Sequence, residues 1–194
     1  VLEPYGCEPV EKDGQAITAY IKSKDLHIDF VPGCIFQKVG TNGSDGVFYI
    51  IPKGDINCGW IETNPRIDKD IIKIKSSNNI QFKNTIRLFK YLFKESYKVS
   101  IGSYAVESAV VDYGDKNYFR NNFEYDFIGI LNHIISLVDD GKIPDMRDSN
   151  INLLGNVSKD SLLKKLNNIK DRYNELDKDS EDFSNDVEVF LKNE

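Results

Sequence analysis

The sequence is poor in the residues that build metal sites and covalent frameworks. It holds three cysteines, Cys7, Cys34 and Cys58, and two histidines, His27 and His133. No two cysteines form a C-x-x-C pair, and so odd and scattered a set suits reduced, partly buried thiols better than a disulfide framework or a zinc site. Long apolar runs are missing too. None approaches the roughly 20 residues of a membrane-spanning helix, and the first residues lack the basic-then-apolar pattern of a secretory signal. The expectation is a cytoplasmic protein with no membrane partner. Positive charge is in short supply: a net charge of −6 argues against a protein that grips long nucleic acid by general electrostatics. The chain opens Val1-Leu2-Glu3-Pro4 with no methionine and runs almost at once into strand-like sequence, which reads as the middle of a longer protein. There is no internal repeat, and the acidic segment Asp177 to Asp182 reads as a solvated connection.

What is present is the composition of a globular protein, 40% hydrophobic and 29% charged over 194 residues, enough for one generous domain or two small ones. Gln15 to Ile21 and Leu26 to Phe30 alternate apolar and polar residues around the polar Lys22-Ser23-Lys24, the pattern of a hairpin. Leu26, Ile28 and Phe30 are expected to face a core, and Asp25, His27, Asp29 and Val31 the opposite side. Gly40 to Gly46 reads as a loop, and Val47 to Ile51 as a third strand ended by Pro52.

After Trp60 the period changes. Phe82, Ile86, Phe89 and Phe93 recur at helical spacing over about four turns. Ile101 to Val111 reads as a second helix. A third, capped by Asn121 or Asn122, carries Phe123, Phe127, Ile130, Ile134 and Leu137 and ends at Gly141 and Pro144. A fourth, capped by Ser158, carries Leu162, Leu166, Ile169, Tyr173 and Leu176, and a short last helix lies around Val187 to Leu191. Sheet first and helices afterwards describes an α+β protein, divided at about residue 64 into a sheet part (1–64) and a helical domain (65–194).

Two features point to anion chemistry. Lys83, Arg87, Lys90 and Lys94 line one face of the first of these helices, which is either a solvated basic face or a phosphate-binding edge. Downstream, Gly102-Ser103-Tyr104 opens a helix with free backbone N–H groups, a hydroxyl and an aromatic face.

In order, the chain reads IDFVPG (Ile28 to Gly33), GWIETNP (Gly59 to Pro65), NTIRLFKYLF (Asn84 to Phe93), GSYAVE (Gly102 to Glu107) and IPDMRDSNINLLG (Ile143 to Gly155). This succession, over about residues 15 to 176, resembles the second half of the nucleotidyltransferases related to oligoadenylate synthetase and cyclic GMP-AMP synthase. The likeness is greatest to their bacterial relatives, the CD-NTases that make cyclic oligonucleotide signals in anti-phage defence. The resemblance implies the end of a polymerase-beta-like nucleotidyltransferase sheet followed by a helical domain of the oligoadenylate synthetase type. It implies a metal-dependent synthesis of a cyclic di- or trinucleotide from ATP, GTP or other nucleoside triphosphates with Mg2+ or Mn2+.

By that resemblance Asp29 matches the third of three metal-binding carboxylates, and is the catalytic and metal residue of this stretch. Lys90 would reach the triphosphate, Ser103 would donate a hydroxyl to it and Tyr104 would stack on a base. Trp60 and Pro65 also match, and are taken as packing residues between sheet and helices. The family's Gly-Ser turn and Asp-x-Asp pair, which precede the hairpin, are not in this sequence. Gly43-Ser44-Asp45 follows the third carboxylate instead of preceding it and is rejected as the missing motif. These residues alone are therefore expected to be inactive, with activity belonging to a parent protein that a regulatory protein could contact. The alternatives are a non-catalytic nucleotide-binding or protein-interaction module of the same fold, and transfer of a nucleotide to an RNA end or a protein.

Overall fold

The computed structural model describes residues 11–13, 15–38, 46–53, 59–117, 119–120, 122–176 and 183–192. The chain divides into two compact units, Val1–Arg66 and Ile67–Glu194. Cys7, Cys58, the Gly43-Ser44-Asp45 stretch, most of the Gly40 to Gly46 loop, Asn121 and the acidic Asp177 to Asp182 lie outside the described residues.

The first unit holds two three-stranded antiparallel sheets, ordered β1-β2-β3 and β4-β5-β6. Strands β1 (Glu11–Asp13), β2 (Ala16–Ile21) and β3 (Leu26–Phe30) form the first. The hairpin between β2 and β3 turns through a short 3-10 segment, Lys22–Lys24, and closes on Asp25 in the left-handed region at φ 48°. Asp is one of the few non-glycine residues that visits this region readily, and its carboxylate accepts a hydrogen bond from the Tyr20 hydroxyl at 2.9 Å. The register pairs Ile17 with Phe30, Ala19 with Ile28 and Ile21 with Leu26. One face is thus apolar, and Thr18, Tyr20, His27 and Asp29 share the other.

The alternation is as expected but the burial is not. Leu26 is 47% and Phe30 48% exposed, and only Ala19 of this face is buried. Period-2 patterning fixes which residues share a face; it carries no information on whether anything covers that face.

Strands β4 (Cys34–Lys38), β5 (Gly46–Pro52) and β6 (Trp60–Thr63) form the second sheet. Neither β4 nor β6 was legible in the sequence, whereas Pro52 ends β5 as expected and pairs there with Trp60. Proline is tolerated in that position because β5 ends there. Gly33, just before β4, brings its backbone so near β5 that a Cβ would sit 3.2 Å from the Ile50 carbonyl oxygen. Cys34 is exposed, which corrects the expectation of a partly buried thiol. Trp60 opens β6 and is 64% exposed, and Pro65 opens a helix.

That helix, α1 (Pro65–Asn78), was missed from the sequence. It buries no residue completely; Ile71 and Ile72 are half-buried against the core. Interleaved charges such as Asp68-Lys69-Asp70 dilute the apolar stripe.

The remaining helices are α2 (Phe82–Tyr91), α3 (Ser103–Lys116), α4 (Phe123–Asp139), α5 (Lys159–Asn174) and α6 (Phe183–Lys192). A π-helical turn, Leu92–Ser96, continues α2, so the expected four turns are present. Phe82, Ile86, Phe89 and Phe93 are buried from this segment, with Phe127, Ile130 and Ile134 from α4 and Leu162, Leu166 and Ile169 from α5. Each fully buried side chain of this size contributes about 1.5–3 kcal/mol. Phe89 stacks on Phe127 at 5.1 Å between ring centroids, and Phe127 meets Tyr173 at 4.5 Å. Asn122 caps α4 by accepting from the Glu124 and Tyr125 N–H groups, and Ser158 caps α5 by accepting from Ser161. No described helix is long and apolar enough to cross a membrane.

Candidate functional site

Asp29 sits on the exposed polar face of β3. Its cross-strand partner is Thr18, whose hydroxyl donates to Asp29 Oδ1 at 2.7 Å. One step along the hairpin the Tyr20 and His27 rings stack at 4.5 Å. The Thr18 hydrogen bond holds one carboxylate oxygen of Asp29. Among the described residues no three His, Cys, Asp or Glu side chains converge, at Asp29 or elsewhere.

In the helical unit, Ser103 and Tyr104 form the first turn of α3, whose cap is Gly102 in extended conformation. Ser103 is exposed. Lys90, from the last turn of α2, forms an ion pair with Glu107. Glu107 lies one turn beyond Ser103 on the same face of α3, so the Lys90–Glu107 pair lies on the face of α3 that carries Ser103. The basic stripe is therefore not four unengaged cations. Lys90 is neutralised by Glu107, Lys94 lies 3.6 Å from Glu95, and Arg87 donates to the Asn84 side chain, while Lys83 is exposed.

Tyr104 is the centre of a polar cluster that the sequence did not reveal. Its hydroxyl lies 3.1 Å from Asp68 Oδ1 on α1 and 3.2 Å from Asp145 Oδ1 in the loop after α4. The Arg147 guanidinium stands 5.6 Å from the Tyr104 ring centroid, occupying one of the ring's two faces. Arg147 also reaches Asp145 Oδ2 at 3.1 Å and Asp68 Oδ1 at 3.3 Å, and its backbone N–H donates to Asp145 Oδ1 at 2.7 Å.

The loop that carries Asp145 and Arg147 is built to hold them. Gly141 and Gly155, both at positive φ, turn the chain out of α4 and back toward α5. Pro144 bridges to Asn152, and the Asn152 side chain accepts from the Ile143 and Leu154 N–H groups. The Met146 N–H donates to Ser108 Oγ on α3 at 3.2 Å, which docks the loop beside Tyr104. Asp145 is 4% exposed.

The two carboxylates are tuned apart. Burial pushes Asp68 up, and the nearby Arg147 charge offsets this only in part, so its pKa is raised above 3.8. Burial also pushes Asp145 upward, but the side-chain and backbone hydrogen bonds from Arg147 outweigh it and hold the carboxyl below 3.8. Burial raises the Tyr104 phenol, against the pull of Arg147, so it remains a hydrogen-bond donor at neutral pH. The segment containing Asp145 and Arg147 stands out in the sequence as IPDMRDSNINLLG, yet their link to Asp68, nearly eighty residues earlier, has no sequence signature.

No family model matches the chain. It is 26% identical over 138 residues to a protein named as a probable cyclic nucleotide synthase from Bacillus cereus (strain VD146), covering 69% of this chain and 39% of that protein. Against the Vibrio cholerae cyclic AMP-GMP synthase DncV with nonhydrolyzable GTP, the TM-score is 0.72 at 14% identity. That match covers 100% of this chain and 54% of DncV. Against the Elizabethkingia meningoseptica cyclic dinucleotide synthase CdnE with GTP and Apcpp, the TM-score is 0.62 at 11% identity, covering 81% of this chain and 62% of CdnE. The chain thus spans well under half the length of the curated relative it matches. Its fold is that of the matching parts of DncV and CdnE, an α+β arrangement of strands followed by helices.

Proposed function

We propose that the protein containing this chain is a nucleotidyltransferase that joins nucleoside triphosphates into a cyclic di- or trinucleotide, acting in the cytoplasm in bacterial anti-phage signalling. The observation that carries this reading is the likeness of the whole chain to DncV, together with the residues that the resemblance marks, Asp29, Lys90, Ser103 and Tyr104.

Asp29 is the catalytic carboxylate of this stretch, aimed by Thr18. A divalent ion, Mg2+ or Mn2+, supplies charge stabilisation in phosphoryl transfer when bound; the described residues offer Asp29 as one ligand and do not by themselves enclose an ion. Lys90 and Ser103 form the triphosphate edge, with Glu107 setting how much of the Lys90 charge is available. Tyr104, pinned at its hydroxyl by Asp68 and Asp145, presents its remaining ring face to a nucleobase. The reading implies that activity belongs to the full-length protein and not to these residues alone. In that protein, Asp29→Ala should abolish product formation from labelled ATP and GTP while leaving the circular dichroism spectrum unchanged; retained turnover would remove Asp29 from the site.

The Lys90–Glu107 pair favours a second reading, a nucleotide-binding or protein-interaction module without catalysis, because a neutralised lysine attracts a triphosphate less strongly. Calorimetry with triphosphate and Mg2+ sets apart a pure interaction module, which gives no heat of nucleotide binding.

A further inference from the structure

Of the IPDMRDSNINLLG segment only Asp145 has a part in the proposed function. Arg147 nevertheless reaches the Tyr104 ring and both carboxylates at the Tyr104 hydroxyl. All four residues belong to the helical unit.

The Tyr104 phenol has one proton, and two carboxylate oxygens stand within its reach, Asp68 Oδ1 at 3.1 Å and Asp145 Oδ1 at 3.2 Å. A single proton serves one of them at a time, and two anions facing one phenol oxygen repel each other. Arg147 resolves the conflict. Its Nε lies 3.3 Å from each of the same two oxygens, and its Nη2 donates to Asp145 Oδ2 at 3.1 Å. Both carboxylates can stay beside the phenol because one cation contacts them both. The same guanidinium covers one face of the ring, with Cζ 5.6 Å from the centroid, where a planar cation is attracted by the aromatic quadrupole. One side chain thus supports the hydroxyl end and one face of Tyr104.

Arg147 is itself held in place. Its backbone N–H donates to Asp145 Oδ1 at 2.7 Å, and the neighbouring Met146 N–H donates to Ser108 Oγ at 3.2 Å. Ser108 is fully buried and stands one turn beyond Tyr104 on the same face of α3. The loop is therefore fastened to the helix that carries the ring, and Tyr104 and Arg147 keep a common register.

We propose that Arg147 is a positioning residue, which holds the Tyr104 ring in the orientation that receives a nucleobase; this rests on the nucleotide reading of Tyr104 and adds to it a residue outside the motifs that mark that site. Arg147 works from behind the ring and meets neither base nor phosphate.

The test compares, in the full-length protein, affinity for a nonhydrolysable ATP analogue with affinity for inorganic tripolyphosphate, which carries the phosphates but no base. Arg147→Met removes the charge and the donors. Arg147→Lys keeps a charge without the planar group, and serves if the first variant fails to fold. Expected is a loss of about tenfold in nucleotide affinity for the Met variant and of several-fold for the Lys variant, with tripolyphosphate affinity unchanged. In a Tyr104→Ala background the same substitutions should cost nothing further, because Arg147 acts through the ring. Equal losses for nucleotide and tripolyphosphate overturn the inference, as does undiminished nucleotide affinity in either folded variant, or a full loss that persists without the Tyr104 ring. A wild-type protein that binds nucleotide no better than tripolyphosphate instead overturns the Tyr104 platform, and the role of Arg147 falls with it.

Discussion

Lys90 on α2 and Glu107 on α3 are joined in an ion pair whose side chains are 31% and 21% exposed. Through it the basic helix is tied to the helix that opens with Gly102-Ser103-Tyr104, so Lys90, the residue proposed to reach a triphosphate, is held by a carboxylate of the same unit.

Removing each partner should act in opposite directions on nucleotide affinity. In the full-length protein, Lys90→Ala should weaken triphosphate binding about tenfold, and Glu107→Gln should tighten it several-fold by freeing the ammonium. Calorimetry with a nonhydrolysable triphosphate measures both; equal weakening by the two variants would mean the intact pair, not the lysine, is what the ligand meets.

The tuning of Asp68 and Asp145 sets opposite pH dependences. Asp145 is depressed, so its stabilisation is present above the unfolded pKa and is lost as pH falls through its folded pKa. Asp68 is raised, so its charged form costs stability at neutral pH, and the cost disappears as pH falls through that raised value. Asp145→Asn should therefore destabilise by about 2 kcal/mol at neutral pH, since it weakens hydrogen bonds to a charged group. Asp68→Asn should stabilise at neutral pH. Thermal melts from neutral to strongly acidic pH should show both differences shrinking.

Tyr104 separates ring from hydroxyl. Tyr104→Phe keeps the platform and breaks the contacts to Asp68 and Asp145, so nucleotide affinity should fall only a few-fold. Tyr104→Ala should lower it tenfold or more, as expected for loss of a stacking surface. Fluorescence titration with a base-modified nucleotide compares them, and equal losses would assign the contribution to the hydroxyl.

At Gly129 on α4 a Cβ would run into the Tyr113 hydroxyl. Gly129→Ala should cost about 1–3 kcal/mol from overpacking, outweighing the gain of about 1 kcal/mol that alanine brings to a helix. Adding Tyr113→Phe should recover part of the loss in urea denaturation.

Local pattern alone determined much of this protein. The β2–β3 hairpin, the apolar stripes of α2, α4 and α5, and the caps at Asn122 and Ser158 follow from period-2 and period-3.6 spacing and from the need of helix ends for a hydrogen-bond partner. Those signals are written within one or two turns of chain. The order of short motifs around Asp29, Lys90, Ser103 and Tyr104 was equally legible. Tertiary structure alone decided the rest. Strands β4 and β6 exist through their pairing with β5, and α1 packs two half-buried isoleucines, Ile71 and Ile72, while Ile67 and Ile74 stay exposed. Asp68, Asp145 and Arg147 converge on Tyr104 because α1 and the loop after α4 pack beside α3. Hydrogen bonding and burial at these places depend on distance in space, which residue spacing along the chain does not encode.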